Sequence, residues 1–74
     1  MIDAPSQAIS LLGGATVVAE HIRRPLTTVG SWVARESIPV EAWPDLIALA
    51  RDKRVGGITY EALTLAHAKR KRAA

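Results

Sequence analysis

The sequence predicts an all-α domain of about five short helices. Three observations predict it. Apolar residues recur at i, i+3 and i+4 through most of the chain, and no segment of useful length alternates polar and apolar residues. Two glycine pairs, Gly13-Gly14 and Gly56-Gly57, and the prolines at 25, 39 and 44 cut that pattern into helix-sized pieces.

The first helix is predicted over Ala4 to Leu12. Asp3 is a suitable N-cap, Pro5 fits a first turn, and Ala8, Leu11 and Leu12 form the inner stripe. Gly13-Gly14 ends it, because glycine takes the left-handed conformation of a helix terminus at little cost. A second helix covers Ala15 to Ile22, with Val18, Ala19 and Ile22 on one face. Pro25 disfavours helical geometry at Arg24 and opens a third helix, Leu26 to Glu36, whose inner side is Leu26, Val29, Trp32 and Val33.

Ser37-Ile38-Pro39 closes the third helix. The fourth is expected from Val40 to about Arg51, with Trp43, Leu46, Ile47 and Ala50 inside and Pro44 tolerated near its start. Thr59 is the expected N-cap of a last helix, Tyr60 to Ala68, with Leu63 and Ala66 inside. The basic run Lys69-Arg70-Lys71-Arg72 and the final alanines are expected to fray. Residues 1–68 thus read as one domain and 69–74 as a basic tail.

Composition narrows the function classes. A chain of 74 residues buries a small core, and such domains commonly gain stability from a disulfide, a metal or a partner subunit. Cysteine is absent, and His21 and His67 stand far apart in sequence, so self-association as a homodimer is the expected supplement. No stretch approaches a membrane span or a signal peptide, and a cytoplasmic protein is expected. The net charge of +3 misleads, because the run 69–72 supplies four of the ten basic residues. Before it, Arg23, Arg24, Arg35, Arg51, Lys53 and Arg54 stand against all seven acidic residues. Any attraction to nucleic acid is therefore local. There is no Gly-rich phosphate loop, no nucleophile with an evident base and no paired carboxylates, so no enzyme, no cofactor and no small-molecule site is expected.

The informative segment is Val17 to Arg35. It places two short helices around a tight polar connection, the second helix bearing small polar residues near its start. Two helices that cross steeply need a small residue where their backbones approach. Ala19 supplies it, and Ile22, Val29 and Trp32 form the shared apolar wedge.

The run Val17-Val18-Ala19-Glu20-His21-Ile22, followed by Val29-Gly30-Ser31-Trp32, resembles the helix-turn-helix of the phage lambda Cro and repressor superfamily. The resemblance covers about residues 6 to 50, and Gly13-Gly14 with Ser37-Ile38-Pro39 is similar to the smaller Cro-like prophage regulators. Two departures fall in the turn. Arg23-Arg24 stands where the superfamily has glycine and an apolar residue, and Pro25-Leu26 stands where it has Ser-Gln.

The resemblance implies a lambda-repressor-like fold and a dimeric regulator of double-stranded DNA, expected to repress phage or phage-derived genes. Carried over by position, Thr27, Thr28 and Ser31 face the bases, with Arg35 one turn further along. Arg24 is expected on a phosphate, and Thr16 on another at the start of the second helix. Gly30 is expected to let the backbone lie close to the DNA.

Plainer readings stand beside these. Thr27 and Thr28 also suit helix capping, and Ser31, Arg23, Arg24 and Arg35 also suit a solvated surface. Trp32 and Trp43 are expected in the core rather than as stacking platforms for single strands. The dimer surface is expected on the fourth or last helix, from Tyr60, Leu63 and Leu65. Other functions compatible with the sequence are an excisionase-like DNA-bending protein and an antitoxin- or adaptor-type interaction module. The small polar face of the third helix argues against the module, which needs larger apolar anchors.

Overall fold

In the computed structural model, residues 2–73 are described, with side chains through residue 68. Five helices follow in order: α1 (Pro5–Leu11), α2 (Ala15–Ile22), α3 (Leu26–Arg35), α4 (Trp43–Asp52) and α5 (Tyr60–Ala73). A 3₁₀ turn, Val40–Ala42, leads into α4. The described residues contain no strand, and the fold is all-α as the periodicity predicts.

One core joins every helix. Ile9 and Leu12 from α1 and its end, Val18 and Ala19 from α2, Val29 and Trp32 from α3, Leu46 and Leu49 from α4, and Leu63 and Ala66 from α5 are all buried in it. Among the described residues, no charged or polar side chain is buried with them. Ala19 is 4% exposed, and a larger residue there would hold α2 and α3 apart.

Several details correct the sequence reading. Ala4, not Asp3, is the N-cap of α1, and it offers no side-chain bond. Capping comes from elsewhere. The Asp3 N–H donates to the Gln7 side-chain oxygen, and the Ser6 N–H donates to Glu36 Oε1 at 3.1 Å. Glu36 is not a helical residue but the left-handed C-cap of α3, so its carboxylate links the end of α3 to the start of α1. Ile9 takes the inner place assigned to Leu11, which is half exposed. Leu26 is likewise exposed, because the first residue of α3 lies beyond the wedge that Val29 and Trp32 fill. In α4, Leu49 is buried and Ile47 packs only at the core's edge. The 3₁₀ turn lets Pro44 fall in the first turn of α4, where no N–H is needed.

Helix α5 does not stop at Ala68 but runs to Ala73. Lysine and arginine are good helix formers, and cations are favoured near a helix C-terminus. The side chains of residues 69–73, and all of Ala74, lie outside the described residues. Thr59 caps α5 as expected, its Oγ1 accepting from the Ala62 N–H at 3.1 Å.

The helix ends share one device. The N–H groups of Gly14, Arg24, Ser37 and Val55 each close back on a carbonyl five residues earlier, at 2.9, 3.0, 3.0 and 2.8 Å. That closure turns the preceding residue into positive φ, at Gly13, Arg23, Glu36 and Arg54. Only the first of these is glycine. A left-handed non-glycine residue costs about 1–2 kcal/mol, part of which glycine returns through a freer unfolded chain.

Arg23→Gly is therefore expected to stabilise the protein by about 0.5–1 kcal/mol. Glu36→Ala keeps the left-handed cost and removes the carboxylate from the Ser6 N–H, so it is expected to destabilise by about 1 kcal/mol. Urea unfolding followed by circular dichroism checks both signs. A gain in Glu36→Ala would mean that the α1–α3 link contributes nothing.

The loop after α3 is fixed by side chains. The Ile38 carbonyl accepts from the Trp43 indole Nε1–H at 2.9 Å, and the Ile38 N–H donates to His67 Nε2 at 3.0 Å. His67 Nδ1 lies 2.7 Å from the Leu63 carbonyl, which only accepts. The imidazole therefore carries its proton on Nδ1 and offers a lone pair at Nε2. Both backbone groups of the buried Ile38 are satisfied, and α3, α4 and α5 are tied together at one point.

Candidate nucleic-acid interface

The α2–α3 pair is built from local signals. Gly14 starts α2, the left-handed Arg23 ends it, and Arg24 with Pro25 bridges to Leu26. Val29 and Trp32 are buried in the same core as Val18 and Ala19, which orients α3 around its axis. The opposite side of α3 must then face outward. Thr27, Ser31 and Arg35 are spaced four apart and share that side, flanked by Thr28, Gly30 and Ala34. Thr27, Ala34 and Arg35 are exposed, while Thr28, Gly30 and Ser31 are half-buried.

Four of the six nominated residues thus fall together on one helix face. Arg24 is exposed immediately before it, in the turn. Thr16 is exposed in the first turn of α2, on a different element. Thr27 and Thr28 do not cap α3, because the N-cap is Pro25 and no side chain caps that end. None of Thr16, Arg24, Thr27, Thr28, Ser31 or Arg35 is hydrogen-bonded or ion-paired through its side chain to another described residue.

Ala34 belongs to this face and was not singled out from the sequence. Its signal was available, since it lies seven residues from Thr27 and three from Ser31 on the same stripe. The left-handed backbone of Arg23 was not legible in the same way, because no glycine marks it.

Other chemistry is sparse. Among the described residues, no group of three or more His, Cys, Asp or Glu side chains is placed to hold a metal ion. Among the described residues, no helix is long and apolar enough to cross a membrane. One feature unforeseen in the sequence is a cavity of about 330 Å³ between α4 and the loop before α5, lined by Ile47, Arg51, Val55, Ile58 and Tyr60 among others. None of the six nominated residues lines it.

Gly30 allows a clean test of close approach. A Cβ built there meets no heavy atom within 4 Å, so nothing inside the protein requires glycine. Gly30→Ala should raise helix stability by about 1 kcal/mol. If DNA backbone or base edges come close at that point, the same methyl should weaken binding while the thermal midpoint rises. Thermal unfolding and DNA titration of one sample check the two opposite signs. Gain in both would place Gly30 off the interface.

No protein family, curated protein or solved structure matches the chain.

Proposed function

We propose that α2, the Arg23–Pro25 turn and α3 form a helix-turn-helix, and that the protein is a sequence-specific regulator of double-stranded DNA. The observation that carries this reading is the outward face of α3. Its opposite side is fixed in the core by Val29 and Trp32, while Thr27, Thr28, Ser31 and Arg35 present unengaged donors and acceptors at the surface. Small hydroxyl side chains and one arginine suit a major groove, where a hydroxyl serves several bases and a guanidinium pairs with guanine or phosphate. Thr16 and Arg24 would hold flanking phosphates.

A monomer of this size reads only a few base pairs, and a homodimer would set two α3 helices about 34 Å apart on a near-palindromic site. Tyr60 and Leu65 on α5, at 54% and 40% exposed, are the apolar residues offered to that contact. Leu63, also expected there, is fully buried and is withdrawn from it. Repression of phage-derived genes, in the cytoplasm, rests on the resemblance of the Val17–Trp32 run.

The test is a fluorescence-anisotropy titration with duplex from upstream of the protein's own gene, beside a random duplex of equal length. Preference for the upstream duplex by about 10³-fold or more is expected of a specific regulator. Equal binding of both, lost when residues 69–74 are removed, would sink the reading.

A further inference from the structure

We propose that the end of α4 and the α2–α3 turn form one cationic ridge that grips a phosphate strand of duplex DNA beside α3. The proposal rests on the DNA-binding reading and extends it to residues that reading does not use: Arg51, Lys53 and Arg54.

The juxtaposition comes from packing. His21 Nε2 lies 4.0 Å from Asp52 Oδ2, which sets the last turn of α2 beside the last turn of α4. Arg23 and Arg24 are thereby brought to the same end of the molecule as Arg51, Lys53 and Arg54. All five are exposed. Among the described residues, none of the five is ion-paired to a carboxylate, and His21–Asp52 is the acid–base contact at this junction.

Charge is segregated around this junction. Up to residue 68 the one other basic residue is Arg35, on the outward face of α3. Glu41, in the 3₁₀ turn, and Asp45, in the first turn of α4, lie toward the other end of that helix, Asp45 about 9 Å from Arg51 along the axis. Asp3 and Glu36 sit around the start of α1, and Glu61 in the first turn of α5. Glu20, Asp52 and Glu61, the last beside Tyr60 in the cavity that Arg51 also lines, are the acidic residues near the ridge. A chain whose first 68 residues carry slightly more acid than base thus keeps a locally positive edge, continuous through Arg24 with α3.

The chemistry favours phosphate. Four of the five groups are guanidinium forks that match phosphate oxygens. A bilayer surface would need a cluster of apolar side chains to insert, and the exposed large hydrophobics beside the ridge are Leu26 and Tyr60, isolated on two separate helices. Two of the arginines also project from rigid points. Arg23 and Arg54 hold the same left-handed conformation, φ 58° and 56°, at the ends of α2 and α4. Their neighbours' N–H groups lock those ends to Ala19 and Ala50. A competing role is purely internal, since cations near a helix C-terminus offset its dipole. That role predicts a change in stability and none in binding.

The experiment uses the full chain and a fluorescent random duplex of about 25 base pairs, titrated from about 50 to 200 mM salt. The variants are the triple Arg51→Gln, Lys53→Gln, Arg54→Gly and the single Arg54→Gly. For the triple, affinity is expected to fall about tenfold or more, and the slope of log K against log salt by about 2 to 3, close to 0.9 per lost phosphate. Arg54→Gly should weaken binding while raising the thermal midpoint, because the left-handed strain goes with the charge. Preference for the upstream duplex should persist in both. Unchanged affinity and slope in the triple variant would overturn the ridge and leave the α3 reading standing. A wild type that binds neither duplex, or that binds anionic vesicles in place of DNA, would overturn both.

Discussion

Trp32→Ala is expected to remove about 3–5 kcal/mol of folding free energy, against a total of about 4–11 kcal/mol for a domain of this size. Trp32 is 8% exposed, and its ring fills the wedge between α2, α3 and the rest of the core. The cavity left behind would be lined by Val18, Ala19, Val29 and their neighbours, short side chains with little freedom to collapse into it. Far-UV circular dichroism in a urea series should show an early or absent folded baseline. Trp32→Phe should cost much less, and should bind DNA as the wild type does once folded. Trp43→Phe makes a useful contrast. It removes the indole donor from the Ile38 carbonyl and should cost about 1–3 kcal/mol beyond its lost volume. A Trp32→Ala protein that folds normally but loses DNA binding would reverse the assignment and make the ring a contact surface.

The behaviour of the two tryptophans was legible in the sequence because helical spacing alone places them among apolar residues. So were the glycine stop at Gly13-Gly14, the break before Pro25 and the Thr59 cap, each of which rests on one residue's backbone chemistry. What could not be read either lacked a residue-type signal or depended on contacts between distant segments. The left-handed turns at Arg23, Glu36 and Arg54 follow from closure of the last helical turn, and no glycine marks them. The cap of α1 comes from Glu36, and the acceptor for the Ile38 N–H comes from His67. Leu11 and Ile9 are equally apolar, so the pattern left open which of them points inward. Packing against α3 and α5 decides it for Ile9.

The candidate site divides in the same way. Thr27, Thr28, Ser31 and Arg35 share one helix, and periodicity groups them. The ridge joins residues 23–24 to 51–54 through the contact between α2 and α4, for which the sequence offers only two separate basic clusters. The two parts should therefore answer to different measurements, base preference for the first and salt dependence for the second.

The second large effect is expected from the triple replacement Thr27→Ala, Ser31→Ala, Arg35→Ala. Each contact to a base edge is worth about 1–3 kcal/mol, so the loss at the specific site should exceed about 100-fold, even allowing for partial overlap among neighbours. The fold has no reason to suffer. All three side chains lie on the outward side of α3, none is bonded to another described residue, and alanine is the better helix former. The thermal midpoint should hold or rise, while affinity for random duplex falls only by the share that Arg35 gives to phosphate. Because the hydroxyls carry no charge, the salt slope should change by about one at most. Specificity would thus collapse toward the non-specific level with stability and salt dependence nearly intact. If the triple variant keeps its full preference for one sequence, α3 does not read the bases, and the recognition surface must be sought on another element.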